Sequence, residues 1–228
     1  MMTIQFSWPA GKSSAIMVAE NILSKELCSS IIDESSKYYE RLFIPGPVIS
    51  GVMANVKSTM DFSWSKENLI NNNIPPEPLS TYEMELSKAI FTSVGYYREQ
   101  FRWLWDWVGI CDTGFRMQRY IRGEGFYREH IDGGPVPVVI LNRVLGAVIY
   151  LNDVEIGGET YFREQDIYVP AKAGSIALFP AYWTHPHQGC VPISNDKWIV
   201  STFILENSEN QPLDMIDDGK SLGNEHLL

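Results

Sequence analysis

The stretch "RVLGAVIYLNDVEIGGETYFREQDIYVPAKAGSIALFP", residues 143–180, decides the fold class. Its apolar runs, "RVLGAVIYL", "GETYF", "DIYVP" and "GSIALFP", are 5 to 9 residues long, rich in β-branched and aromatic side chains, and separated by Gly, Pro, Asn and Asp. Runs of that length and content suit buried strands, because helices need a longer periodic segment. Two runs of the same kind flank the stretch, "FRMQRYI" at 115–121 and "KWIVSTFIL" at 197–205. Short strands repeated at this spacing predict an all-β sandwich or barrel, with Gly157-Gly158 read as a turn.

Upstream the texture is helical. In "LSKELCSSIIDESSKYYERL" (23–42), Leu27, Ile31, Tyr38 and Leu42 follow helical spacing, and Ser24 is placed to cap the N-terminus. In "STYEMELSKAIFTSVGYYREQF" (80–101), Tyr82, Leu86, Ile90, Val94, Tyr97 and Phe101 form one apolar stripe, and Ser80 with Glu83 reads as a capping box. Between them, Ile44 to Pro78 is rich in Pro, Gly, Asn and Ser and reads as loop with one or two short strands near Val52 to Met60. The acidic end of the chain, "ENSENQPLDMIDDGKSLGNEHLL", reads as irregular. The expectation is a single domain over 1–228: helical and loop support over about 1–110, a β core over about 111–206, and a tail over 207–228.

Composition narrows the function. With 228 residues, 45% of them apolar and 12% aromatic, the chain can bury a large core. A net charge of -10 and a pI of about 4.9 argue against a nucleic-acid partner, which clustered Lys and Arg would have to hold. No segment has the length of a membrane span or the apolar core of a signal peptide, so no membrane partner and a cytoplasmic location are predicted. Cys28, Cys111 and Cys190 lack the spacing of a zinc site or a disulfide framework and read as reduced structural thiols.

Chemistry enters with "GFYREHIDGG" (125–134). If a strand runs through His130 to Asp132, their side chains share a face, because strand side chains repeat with period two. An imidazole and a carboxylate aimed at one spot are two members of the triad that holds non-haem Fe(II), and a second His must complete it. His185 and His187 in "THPHQ" are the serious candidates, since His226 sits three residues from the end of the chain.

Residues 116–204 resemble the catalytic core of the 2-oxoglutarate and Fe(II)-dependent oxygenases, most closely the prolyl 4-hydroxylase type. The similar pieces are "RYIRGEGFYREHID", "VIYLNDVEIGGETYF", "AGSIALF" and "HQGCVPISNDKW", in the family order. The resemblance implies a mainly β fold with flanking helices, a double-stranded β-helix or jelly roll. It implies His130, Asp132 and His187 as the metal and catalytic residues, His187 standing ten before Lys197 where the family has a basic residue nine or ten after its distal His. It further implies Lys197, Tyr120 and Tyr150 as contacts of 2-oxoglutarate. Lys197 would pair with the far carboxylate, which a mainly apolar barrel cannot bury unpaired.

The activity so implied is dioxygenase hydroxylation of an aliphatic carbon, a prolyl residue in a peptide or free proline, with release of succinate and CO2. Fe2+, 2-oxoglutarate and O2 are the implied cofactors, and ascorbate a candidate addition. The substrate partner is then a peptide or an amino acid; oligomeric state is left open. Asp132, where related halogenases carry a small residue, favours hydroxylation. The alternatives are a hydroxylase of another amino-acid side chain or small metabolite, and a non-catalytic cupin-like metal-binding protein. Arg122, Arg128 and Arg143 are weighed as substrate-facing against a solvated face, and Trp183 and Trp198 read as packing residues.

Overall fold

The computed structural model describes residues 3–102, 109–133 and 143–207. Ahead of residue 109 the order is β1 (Gln5–Ser7), β2 (Met17–Glu20), α1 (Lys25–Ser36), α2 (Tyr39–Leu42), β3 (Ile44–Pro45), β4 (Pro47–Val48), β5 (Gly51–Val52), β6 (Lys57–Ser58), β7 (Met60–Trp64), α3 (Lys66–Asn71) and α4 (Leu79–Gln100). The described remainder is built from strands: β8 (Gly109–Asp112), β9 (Phe115–Tyr120), β10 (Phe126–His130), β11 (Arg143–Tyr150), β12 (Thr160–Phe162), β13 (Ile167–Val169), β14 (Ser175–Pro180), β15 (His187–Gly189) and β16 (Lys197–Asn207).

Two sheets face each other. The larger runs β1-β2-β14-β11-β16-β9-β7-β3, with β8 also on β16; the smaller runs β13-β12-β15-β10-β6. All the pairings are antiparallel. The short runs of 143–180 and their two flanking partners therefore build a jelly roll. The central strands β14 and β11 are apolar along most of their length because the larger sheet is covered on both faces. Its outer face packs Leu145, Ile149, Ile176, Leu178 and Val200 against Ile31 of α1 and Leu86, Ile90, Val94 and Tyr97 of α4. Its inner face packs Tyr120, Tyr150, Ala177, Phe179 and Ile199 against Phe162 and Val169 of the smaller sheet.

The helix read over 23–42 is divided: α1 ends at Ser36, and Leu42 of the stripe lies on the separate α2. Ser24 caps α1, its hydroxyl accepting from the Leu27 amide at 3.1 Å. The expected capping box at α4 is corrected: the helix begins at Leu79 behind Pro78, and the Ser80 hydroxyl donates back to the Pro76 carbonyl at 3.3 Å. Ser80 thus lies inside the first turn, because the proline run sets the start two residues earlier.

The Ile44 to Pro78 segment holds more structure than expected: β3 to β7 and α3, with β7 paired along its length to β9. Residues ahead of 109 give β1, β2, β3 and β7 to the larger sheet and β6 to the smaller one. No helix among the described residues is long and apolar enough to cross a membrane. Of the irregular tail expected over 207–228, Asn207 is instead the last residue of β16, and 208–228 lies outside the described residues.

Candidate active site

Cross-strand partners share a face, so the register of β9, β16 and β11 lays out the inner wall as a series of rungs. Lys197 pairs with Tyr120; Ile199 pairs with Gln118 and Tyr150; Ser201 pairs with Arg116 and Val148; Phe203 pairs with Gly146. The rungs run from a closed apolar end at Lys197 to a polar end at Arg116 and Phe203. The smaller sheet lays His130 directly opposite His187 in register, with ring centroids 4.4 Å apart.

His130, Asp132 and His187 converge: one ligand atom from each lies within 4.8 Å of the others. His130 Nε2 is 3.4 Å from Asp132 Oδ1, and His187 Nε2 is 3.5 Å from Asp132 Oδ2. The convergence does not come from strand alternation as expected. β10 ends at His130, and Asp132 is brought in by the turn that follows. That turn is held by the Gly133 amide, which donates to the Ala181 carbonyl at 2.6 Å, and by Arg143 Nη1, which donates to the Asp132 carbonyl at 3.0 Å. Gly146 makes room for the carboxylate, since a Cβ there would stand 2.8 Å from Asp132 Oδ2.

The donor chemistry fits a divalent transition ion. His130 Nδ1 is 2.8 Å from the Arg128 carbonyl and His187 Nδ1 is 3.1 Å from the His185 carbonyl. Each carbonyl takes the Nδ1 proton, which leaves both Nε2 lone pairs directed at Asp132 and fixes the ring orientations, as outer partners of metal-binding histidines do. Burial pushes the pKa of His187 down to about 4, so its ring is neutral and free to coordinate. Burial acts to raise the Asp132 pKa, but His187, His130 and Arg143 outweigh it and hold the carboxyl below its usual value. Two neutral nitrogens and one carboxylate on one side of an ion leave the other side open.

His185 is not part of this group. Its Nε2 is 2.7 Å from the Ser14 carbonyl and its Nδ1 is 2.9 Å from Thr184 Oγ1. Lys197 is 1% exposed, and among the described residues no carboxylate stands within ion-pair distance of its ammonium, Glu159 acting on it only from farther away. It lies over the Tyr120 ring at 4.6 Å and the Tyr150 ring at 5.7 Å, and burial lowers its pKa to about 8. Tyr120 donates to Gln118 Oε1 at 3.3 Å, and the Tyr150 hydroxyl is 2.7 Å from Thr160 Oγ1. All six expected site residues therefore line one inner surface.

Of the weighed arginines, only Arg143 reaches the triad, its guanidinium 3.6 Å from the Phe203 ring centroid. Arg122 donates outward to the Ile193 carbonyl, and Arg119 pairs with Asp196 on the other face of β9. Trp198 packs edge-on against Phe43, whereas Trp183 is 69% exposed and not the packing residue expected. Sequence reading missed Tyr127, stacked on His130 at 3.6 Å, and the buried Lys57–Asp61 pair at 2.6 Å, which Arg116 also approaches at 3.6 Å. The signal for Arg116 was present in "FRMQRY", where it shares parity with Gln118 and Tyr120.

Residues 115–205 match the family model of the 2OG-Fe(II) oxygenase superfamily. No curated protein matches the chain in sequence. Among solved structures the chain is similar to the viral collagen prolyl hydroxylase of Paramecium bursaria Chlorella virus-1 in complex with 2OG. That likeness has a TM-score of 0.61 and 17% identity, over 85% of this chain and 97% of that one. A Pseudomonas putida prolyl-4-hydroxylase gives a TM-score of 0.61 and 16% identity, over 86% and 95% of the two chains. The prolyl hydroxylase of Trichoplax adhaerens, in complex with a hypoxia inducible factor oxygen degradation domain peptide, gives 0.66 and 14%, over 86% and 85%. Residues 115–205, which hold the triad and the buried lysine, are thus the part that matches the 2OG-Fe(II) oxygenase superfamily, and the chain shares the fold of the prolyl hydroxylases.

Proposed function

We propose that the chain is a 2-oxoglutarate-dependent dioxygenase that hydroxylates an aliphatic carbon of proline, in a peptide or as the free amino acid. The observation that carries the reading is the convergence of His130, Asp132 and His187 on the same inner surface as a buried ammonium with no ion-pair partner among the described residues. In this reading the two imidazole Nε2 atoms and the Asp132 carboxylate hold Fe(II). Lys197 receives the far carboxylate of 2-oxoglutarate, with Tyr120 and Tyr150 as the walls beside it. When bound, iron and 2-oxoglutarate supply the oxidising chemistry: O2 is consumed, the 2-oxo acid becomes succinate and CO2, and a substrate C–H becomes C–OH.

The residues of the chain do the rest. The Arg128 and His185 carbonyls fix the tautomers of the two rings, and Arg143 holds the turn that presents Asp132. Phe162 and Phe179, at 5.5 and 4.6 Å from the His187 ring, keep its inner side dry. Cys28, Cys111 and Cys190 are free thiols, which suits a reducing compartment and supports a cytoplasmic location. The neighbouring structures, a collagen prolyl hydroxylase and one bound to a hypoxia inducible factor peptide, support proline as the target.

The test is incubation with Fe(II), 2-oxoglutarate and ascorbate against proline-containing peptides and free amino acids, followed by mass spectrometry. A product heavier by one oxygen, with succinate formed alongside, is the expected result. A protein that takes up neither Fe(II) nor 2-oxoglutarate would remove the reading.

A further inference from the structure

The polar end of the inner wall holds more positive charge than the proposed iron chemistry uses. Arg116 stands on the Ser201 rung, four residues along the strand from Lys197, a backbone separation of about 14 Å at 3.4 Å per residue. A five-carbon dicarboxylate spans roughly half of that, so the two cations stand on well-separated rungs of the wall. Arg143 lies at the same end, its guanidinium on the ring of Phe203, one rung beyond Arg116. Its Nη1 is taken by the Asp132 carbonyl, but its Nε is buried and has no hydrogen-bond partner among the described residues.

Counter-charge at this end is short. Asp61 is 1% exposed and carries two cations already: Lys57 Nζ at 2.6 Å and Arg116 Nη1 at 3.6 Å, with Thr59 donating to its other oxygen at 2.7 Å. Lys57 also lies over Tyr127, 5.0 Å from its ring, and Tyr127 stacks on His130, so the cluster abuts the triad. Asp132 is the anionic member of the triad, 3.4 and 3.5 Å from the two histidines. Lys57, Arg116 and Arg143 therefore share two carboxylates, Asp61 and Asp132, the second of which the proposed metal would take, in a chain whose overall charge is -10. A buried guanidinium N–H left unpaired beside a second cation is costly, and an incoming anion relieves both penalties.

We propose that Arg116 and Arg143 form a second anion site at the mouth, which takes the carboxylate of a substrate that is a free or chain-terminal amino acid. The proposal rests on the oxygenase reading above and narrows its substrate to molecules with a carboxylate beside the carbon to be hydroxylated. An internal prolyl residue offers only a neutral carbonyl there and leaves the charge uncompensated. The planar forks of two arginines suit a carboxylate better than an amide, since charge-assisted paired bonds are about twice as strong as neutral ones.

The test uses the full chain loaded with Mn(II) and 2-oxoglutarate under anaerobic conditions, with calorimetric titration of N-acetyl-L-proline, N-acetyl-L-prolinamide and L-proline. The acid is expected to bind at least about tenfold tighter than the amide, and Arg116→Gln or Arg143→Gln to bring the two within about threefold. Affinity for 2-oxoglutarate stays near the wild-type value in Arg116→Gln, because Lys197 is on another rung. Tighter binding of L-proline than of the acetylated acid assigns the free amino acid; the reverse assigns a chain end. Equal binding of acid and amide, no binding of the acid to the loaded protein, or an acid preference that survives both substitutions overturns the proposal. A chain that loads neither Mn(II) nor 2-oxoglutarate overturns the oxygenase reading itself, and that failure is seen before any proline compound is added.

Discussion

His185 and His187 stand two residues apart and face different partners: His187 Nε2 lies 3.5 Å from Asp132 Oδ2, whereas His185 Nε2 lies 2.7 Å from the Ser14 carbonyl. One closes the metal-type triad, and the other ties the approach to β15 to the segment that leads into β2. The helix α4 holds the same segment, through the Tyr97 hydroxyl donating to the Ala15 carbonyl at 2.9 Å. His187→Ala is expected to abolish both metal binding and turnover. His185→Ala is expected to keep metal affinity within a few-fold and to cost about 1–2 kcal/mol of stability, the loss of a hydrogen bond at a largely buried site. Metal titration and thermal unfolding of the two variants check it, and the opposite ranking would mean the triad is wrongly assigned.

Much of this was legible in the chain. The short apolar runs of 143–180 show as strands because two-sided burial demands continuous apolar content, and α1 and α4 show because one-sided burial demands a stripe. β1 and β15 stayed hidden: three residues paired by register leave no pattern to read. β7 was obscured by the Pro- and Asn-rich stretch on either side of it. For the site, the identity of the triad followed from residue type and the family order, but the way Asp132 arrives did not. A turn held by an Ala181 carbonyl and by Arg143 is a tertiary fact that spacing does not encode. The Lys57–Asp61–Arg116 cluster was invisible for the same reason, since its members come from different strands.

Asp132→Ala removes the one anionic donor and leaves two neutral imidazoles. For the wild-type protein, Mn(II) at a hundred times its dissociation constant adds about 2.7 kcal/mol of stability, a rise in Tm of roughly 5–10 °C for a chain of this size. The variant is expected to fold and to show less than about 2 °C of that rise at the same metal concentration. Differential scanning fluorimetry with and without metal reads the difference directly. A full metal-induced shift in the variant would show that the ion binds elsewhere.

Gly146→Ala tests the same carboxylate from the opposite wall. The added Cβ would stand 2.8 Å from Asp132 Oδ2 and 2.6 Å from the Phe179 ring, so one of the two must move. Phe179 is fully buried in the inner core, and Asp132 sits on a turn, so the carboxylate is the group expected to yield. The outcome is metal affinity lowered by about tenfold or more together with about 1–3 kcal/mol of overpacking strain. Unchanged affinity in a stable variant would mean that Phe179 gives way instead.

Lys197 provides the sharpest separation of a co-substrate pocket from a barrel that merely binds metal. Burial lowers its pKa from 10.5 to about 8, so the unfolded chain holds more protons than the folded one between those values. Stability without ligand is therefore expected to rise as pH climbs from about 8 toward 10.5, and Lys197→Met to stabilise the ligand-free protein at pH 7 by relieving the buried charge. Co-substrate binding has the opposite preference. An anion needs the charged ammonium, so apparent affinity for 2-oxoglutarate should be flat below pH 8 and fall by about tenfold per pH unit above it, with proton uptake on binding near pH 8. Loss of the ammonium in Lys197→Ala or Lys197→Met leaves the far carboxylate unpaired, a cost of about 3–5 kcal/mol, or roughly two to three and a half orders of magnitude in affinity. Lys197→Arg is expected to recover only part of it, because the longer planar fork must fit between Tyr120 and Tyr150. Anaerobic titration of the Fe(II) protein with 2-oxoglutarate, followed by the absorbance of the chelate across pH, measures all of these. A Met variant that is both more stable and as tight as wild type would place the carboxylate away from Lys197.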